Sequence, residues 1–420
     1  MRLLYIVIAY LLAPVMLAAM ALRGLRDRSH WEGFSQRLGF GPAIRGAPGI
    51  WVHAVSVGEV QAALPLVNAL LAKYPDVPLV VTTGTVTGRA RARALFGTRV
   101  DVRYVPIDLP GSVRRFFARV RPRLAVILET EIWPNLYHRC GRLGVPLVMA
   151  SARISPRSVK NYRRLVSLFR EALSHGIFIA AQSDQDARRF HSIGASPERT
   201  HVVGNIKFDF RLPPSIDTQG AALRRLLGME RPVWVAGSTH AVEEDIVLAA
   251  HRQVRARFAQ ALLVLVPRHP PRFGEVTDAL RARGVKFVSR ESGAPASGDT
   301  EVFLVDRLGE LLGFYSAADV AFVGGTLVPV GGHNLLEPAA LGLPVLAGPN
   351  NFNSADVARL LVECNAVRIV QDTDSLAAAV CELLAEPAAR TRMGANGRMA
   401  IEQNRGAVDR LMAFLAPLLR

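Results

Sequence analysis

A chain of 420 residues, half of them apolar, is too long for one ordinary hydrophobic core and is expected to form two domains. Its net charge of +16 is one-sided: residues 1–209 hold 29 Lys/Arg against 13 Asp/Glu, and residues 210–420 hold 22 against 22. The arginines are scattered, with no zinc-finger spacing or RNA-binding signature, which disfavours nucleic acid and suits an anionic lipid surface or an anionic substrate. Cys140, Cys364 and Cys381 stand singly, without metal or redox spacing, as in a reducing compartment.

The chain opens with LLYIVIAYLLAPVMLAAMAL, residues 3–22, which carry no charge and are long enough to cross a bilayer as a helix. No clear cleavage site follows. Arg23, Arg26 and Arg28 outweigh Arg2, so the positive-inside rule places the body of the protein on the cytoplasmic side. A retained single-pass anchor in a bacterial inner membrane is the expectation for residues 1–22. Short apolar runs then alternate with helical stretches: strands at 50–55, 78–84, 102–107, 123–129, 145–151 and 175–183, with helices between. After DFRLPPSIDTQG (209–220) the alternation restarts, with strands at 232–238, 261–269, 285–289, 301–306, 319–325, 343–349 and 366–370. Buried-type strands separated by helices predict parallel, doubly wound sheets. The expected division is a first Rossmann-like domain over 23–209, a linker over 210–220, and a second Rossmann-like domain over 221–420 whose final helices can cross back. Two such domains facing a cleft make an α/β fold of GT-B type, although the pattern alone equally permits a periplasmic-binding-like or epimerase-like pair.

Parallel sheets bind ligands beyond the carboxyl ends of their strands, so the polar residues there carry most weight. WVHAVSVGEV (51–60) ends a strand in Ser56, Gly58 and Glu59 at a helix start. A carboxylate there is either a cap that complements the helix dipole or a general base. LETEIWPN (128–135) offers Glu129 and Glu131, two apart and on one side if extended, separated if the chain turns. The Thr-rich end of the second strand leads to Arg89, a candidate partner for an acceptor phosphate, and SARISPRS (151–158) and NYRR (161–164) add positive charge. GNIKFD (204–209) brings Lys207, a fixed charge for an anionic group.

In the second half, AGSTH (236–240) supplies Ser238 and Thr239 as an anion cradle ahead of a helix. VPRHPPRF (266–273) puts Arg268 at a strand end, where a guanidinium can grip phosphate. His269 beside it lacks a convergent set of metal ligands, and no metal site is expected. GGTLVPVGGHNLLEPAALGLPVLAGP (324–349) contributes two Gly-Gly pairs, Gly332 among them, and Asn334 and Glu337 near another helix start. Glu337 fits two vicinal ribose hydroxyls, or serves as a structural cap.

HAVSVGE, LETEIWPN, GNIKFD, AGSTH, PRHPPRF and GGHNLLEPAALGLPV, in this order behind an N-terminal anchor, resemble the Kdo transferases (3-deoxy-D-manno-octulosonic acid transferases) over essentially the whole chain. The resemblance implies a metal-independent, inverting GT-B glycosyltransferase of lipopolysaccharide biosynthesis that needs no cofactor. It moves Kdo from CMP-Kdo to a lipid A precursor, lipid IVA, at an inner membrane containing anionic lipid. It implies further that Glu59 is the catalytic base and Glu131 a carboxylate important for activity. Ser56 and Gly58 shape the loop before the base, Arg268 contacts the CMP phosphate, and Asn334 and Glu337 lie at the nucleotide.

Overall fold

The computed structural model describes residues 2–44, 46–156, 158–159, 166–173 and 176–419. Arg157 and the run 161–164, read above as basic, lie outside the described residues. The chain divides into two compact units, the first comprising Met1–Phe210 with Asn404–Arg420 and the second Arg211–Gln403.

In the first unit, strands β1 (Gly49–His53), β2 (Leu79–Thr83), β3 (Asp101–Tyr104), β4 (Pro122–Leu128), β5 (Leu147–Ala152), β6 (Ile177–Ala181) and β7 (Thr200–Val202) form one parallel sheet in the order β3-β2-β1-β4-β5-β6-β7. Side chains alternate between its two faces, as the period of a strand requires. Ile50, Val52, Val81 and Val126 meet Val60, Ala63, Val67 and Leu70 of the helix Val57–Lys73 on one face. Trp51, Val80, Ala125 and Ile127 meet Phe116, Phe117, Leu136 and Tyr137 on the other. Both faces are covered by helices, which is why the strands read as continuous apolar runs.

The second unit repeats the plan. Strands β8 (Val233–Thr239), β9 (Leu262–Pro267), β10 (Phe287–Ser289), β11 (Val302–Leu304), β12 (Val320–Val323), β13 (Val345–Ala347) and β14 (Val367–Ile369) order as β10-β11-β9-β8-β12-β13-β14, again all parallel. In each sheet the strand order reverses once, between β1 and β4 and between β8 and β12. These switch points splay the connecting loops apart and leave a crevice at the strand ends.

Two expected boundaries differ. The segment 210–220 is not linker throughout, because a helix runs Ile216–Leu227 and buries Ile216, Gly220 and Leu227 on one face. The second domain also stops short of 420, its final helix crossing back as the expectation allowed. The helix Ala407–Leu415 belongs to the first unit, where Ala407, Val408, Leu411, Met412 and Leu415 complete the same core layer as β1 and β4. Asp209 fixes the return by accepting the backbone N–H groups of Gly406 (2.6 Å) and Val408. Leu411 is fully buried in that layer, so Leu411→Ala is expected to cost about 2–5 kcal/mol by loss of burial and the cavity left behind. A urea unfolding curve checks this; a midpoint unchanged from the parent chain would show that the returning helix does not support the first unit.

Candidate active site

At the switch point of the first sheet, β1 runs out at His53 and the chain reaches Ser56, whose extended backbone makes it the N-cap of the helix Val57–Lys73. Ser56 Oγ accepts the Glu59 N–H at 3.4 Å. The Glu59 carboxylate turns back, accepting the Val55 N–H at 2.6 Å and the Ser56 hydroxyl at 3.4 Å. Glu59 is thus a cap by geometry, and Ser56 spends its hydroxyl on the same turn. The glycine beside it is not demanded by the backbone, since a Cβ on Gly58 would meet only Ser56 Oγ, at 3.9 Å.

The electrostatics of Glu59 go beyond capping. Burial raises its pKa to about 7, and the nearby carboxylates of Glu129 and Glu131 push the same way against the Val55 N–H and Lys207. Those carboxylates come from the end of β4, across the switch point. Glu129 has a left-handed backbone (φ 55°), so the two acids separate as a turn requires. Glu129 pairs with Lys207 Nζ at 2.6 Å and Arg153 Nε at 3.5 Å. Glu131 is raised in pKa by its burial. Lys207, expected to meet a ligand anion, stands here as the counter-charge of Glu129. Arg89, expected as an acceptor-phosphate contact, has partners within the first unit. It is buried, pairs with Glu32 at 3.2 Å, donates to the Glu32 carbonyl at 3.0 Å and stacks on Tyr104.

In the second unit, Ser238, the last residue but one of β8, is held left-handed at φ 58°. Thr239 follows, wholly buried, and donates its hydroxyl to Glu244 Oε1 at 3.2 Å, while Glu244 pairs with Arg272. The helix Glu243–Arg257 starts later than AGSTH suggested, and the cradle of N–H groups at this crevice already holds a carboxylate of the protein itself. Glu243, fully buried, accepts the backbone N–H groups of Gly325 (2.7 Å), Thr326 (3.1 Å), Leu327 (3.0 Å) and His240 (3.3 Å). It ties the end of β8 to the glycine loop after β12. The sequence reading passed over it; consecutive acids directly after a Gly-Ser-Thr strand end were the available signal.

Arg268 follows β9 and donates its backbone N–H to the Thr239 carbonyl at 3.0 Å. Around it three imidazoles converge. His240 Nε2 lies 2.8 Å from His333 Nε2, and the His269 ring packs edge-on to His240. Burial first and the Arg268 charge second hold His333 down to about 3, and His240 and His269 are also lowered by burial. Burial and the neighbouring Arg268 and Arg272 thus favour the neutral form of these rings. Among the described residues no group of three His, Cys, Asp or Glu is placed to hold a metal ion. Gly332 is required by shape, because at φ 79° a Cβ would come within 2.9 Å of Asn351 Oδ1. The helix Leu336–Ala340 starts after Asn334, yet Asn334 Nδ2 still donates to Glu337 Oε1 at 3.0 Å. Ser238 and Thr239 at the end of β8, Arg268, Gly332 and Asn334 on loops and Glu337 in the first turn of its short helix therefore gather at the carboxyl end of the second sheet.

Comparison with known proteins places this geometry. Residues 32–210 match the family described as 3-deoxy-D-manno-octulosonic-acid transferase (kdotransferase). The chain is 39% identical to a 3-deoxy-D-manno-octulosonic acid transferase of Haemophilus influenzae, over 100% of this chain and 99% of that one. The C-terminal CMP-Kdo-binding domain of an Acinetobacter baumannii protein is 34% identical over 45% of this chain and 98% of its own, with a TM-score of 0.43. A UDP-GlcNAc 2-epimerase of Neisseria meningitidis aligns over 87% of this chain and 100% of its own with a TM-score of 0.59, at 12% identity, a likeness of fold alone.

Proposed function

Because the chain belongs to the 3-deoxy-D-manno-octulosonic acid transferases, with a GT-B-like pair of parallel-sheet units, we propose a division of one transfer reaction between them, the first supplying the base and the second gripping the nucleotide. The protein transfers Kdo from CMP-Kdo to a lipid A-type acceptor in the assembly of the lipopolysaccharide core. Lipid IVA is the specific acceptor proposed.

The observation that carries the assignment is Glu59, an acid poised at about 7 at the switch point of its sheet. A sugar hydroxyl ionises far above neutrality and attacks poorly unless its proton is taken as the bond forms. Glu59 takes that proton. The new C–O bond forms at the anomeric carbon of Kdo, and the bond to the CMP phosphate breaks with its electron pair leaving on the phosphate. Glu131 adds to the proton affinity that burial and Glu129 give the base. Arg268 meets the charge that grows on the leaving phosphate, near the backbone of Ser238 and Gly332. Glu337, oriented by Asn334, accepts the ribose hydroxyls.

Glu337→Ala is expected to raise the KM for CMP-Kdo about tenfold, the equivalent of about 1.4 kcal/mol, with kcat little changed. Transfer to a tetra-acylated disaccharide bisphosphate, with a CMP-Kdo generating system and mass-spectrometric products, checks both this and the function. Absence of a Kdo-bearing lipid product from the parent enzyme would refute the function, and an unchanged donor KM in the variant would remove Glu337 from the nucleotide.

A further inference from the structure

The helix Arg2–Arg26 is long and apolar enough to cross a membrane, with a mean hydropathy of 2.4 over its most apolar 18 residues. Its contacts with the first unit are of another kind. The Tyr5 hydroxyl donates to Asp108 Oδ2 at 2.9 Å. Asp108 is buried and accepts the first N–H groups of the helix Pro134–Leu143, from Asn135 at 3.0 Å and Leu136 at 2.8 Å. Arg2 Nε donates to the side chain of that same Asn135 at 3.4 Å. One turn and a half further on, the Tyr10 hydroxyl stands over Gly111, 3.6 Å from the position of a Cβ there, and then Ala13 is buried. At the far end Gly24 lies directly against the Trp31 indole. Shielded positions recur at helical spacing from Tyr5 through Ala9, Ala13, Leu17 and Met20 to Gly24. The opposite stripe is bare, with Leu3 80% and Leu25 76% exposed and Leu11, Val15 and Leu22 between them.

A span must carry one end of the helix across roughly 30 Å of hydrocarbon. Here the first turn is bonded to Asp108 and the last turn packs on Trp31, both parts of the same folded unit. A crossing helix would pull Tyr5 and Arg2 off Asp108 and Asn135. We infer that this helix does not cross the bilayer but docks lengthwise on the first unit and lies in the cytoplasmic leaflet, its bare apolar stripe among the acyl chains. An apolar face of this kind seats roughly 5–10 Å into the headgroup boundary. The surroundings suit anionic lipid: Arg23 and Arg28 at its end and Arg114 on the adjoining helix are exposed, as are Trp31 and Phe40, residues at home at a membrane interface. The Leu3–Leu25 stripe is thereby a lipid-binding surface of the unit that carries Glu59, holding it at the leaflet in which an acylated substrate resides.

The test uses the full-length chain in native membranes, with Cys140, Cys364 and Cys381 replaced by serine. Tyr10→Cys with Gly111→Cys places two thiols at the docked contact, on positions where neither side chain supports the core. A short bismaleimide is expected to join them in most of the protein, as read by mass spectrometry of the digested band. Leu3→Cys on the same background is expected to resist a membrane-impermeant maleimide added to spheroplasts. Labelling of position 3 from the periplasmic side overturns the inference. So does failure of positions 10 and 111 to crosslink in membranes, whether or not position 3 is labelled.

Discussion

Glu59→Gln is expected to lower transfer by about 10²–10⁴-fold while leaving CMP-Kdo binding intact, because the amide keeps the cap but cannot take a proton. In the parent enzyme the rate should rise with pH through about 7, as the buried acid ionises, and then level off. The glutamine variant should lack that limb. Stability should move the other way. An acid whose folded pKa lies above its unfolded value holds its proton longer when folded, so stability falls as pH climbs from about 4.5 to about 7. The slope is roughly 1.4 kcal/mol per pH unit, and above that window the cost is complete. Glu59→Gln removes it, so the variant should unfold at higher temperature than the parent at pH 8 and show a smaller advantage at pH 5.5. Near-parental turnover in the variant would sink the assignment of the base. A lost activity accompanied by a lower unfolding temperature at pH 8 would mean that Glu59 serves the fold alone.

Glu243→Ala is the second large effect. Its carboxylate is the shared acceptor for Gly325, Thr326, Leu327 and His240, and the alanine leaves those N–H groups without it in a buried setting. Each buried donor left unsatisfied costs about 1–3 kcal/mol, so the second unit should lose several kcal/mol of stability. Glu243→Gln is the sharper probe. Its shape is right, but its amide nitrogen must face backbone N–H groups, which pushes the glycine loop away from the end of β8. Donor affinity by calorimetry should fall at least about 10²-fold in a folded protein, with kcat at saturating donor much less affected. A folded Glu243→Gln with unchanged CMP affinity would show that the loop holds its shape without this charge. The pattern separates Glu243, a positioning residue, from Glu59, whose loss should appear in kcat.

The sequence by itself determined the layered architecture. Apolar runs such as those of β1 and β8 are buried on both faces, so they were visible without knowledge of their neighbours, as were the polar loops at their ends. It also located Glu59 and the six motifs, because a carboxylate at a strand-to-helix turn is a local pattern. What it left open were the partnerships. An arginine beside a threonine-rich strand end reads as a ligand contact, and only folding brings Glu32 onto Arg89. Lys207 meets Glu129 for the same reason, and three histidines far apart in the chain converge around Arg268. Whether Glu59 is merely a cap could not be read from its own turn, because its proton affinity is set by burial and by Glu129 and Glu131 from another strand. The hydropathy of residues 3–22 likewise marks a membrane-seeking helix, while its hydrogen bond to Asp108, a contact between distant parts of the chain, bears on how that helix lies. Burial and charge pairing are properties of neighbourhoods in space, and only the tertiary structure assigns them.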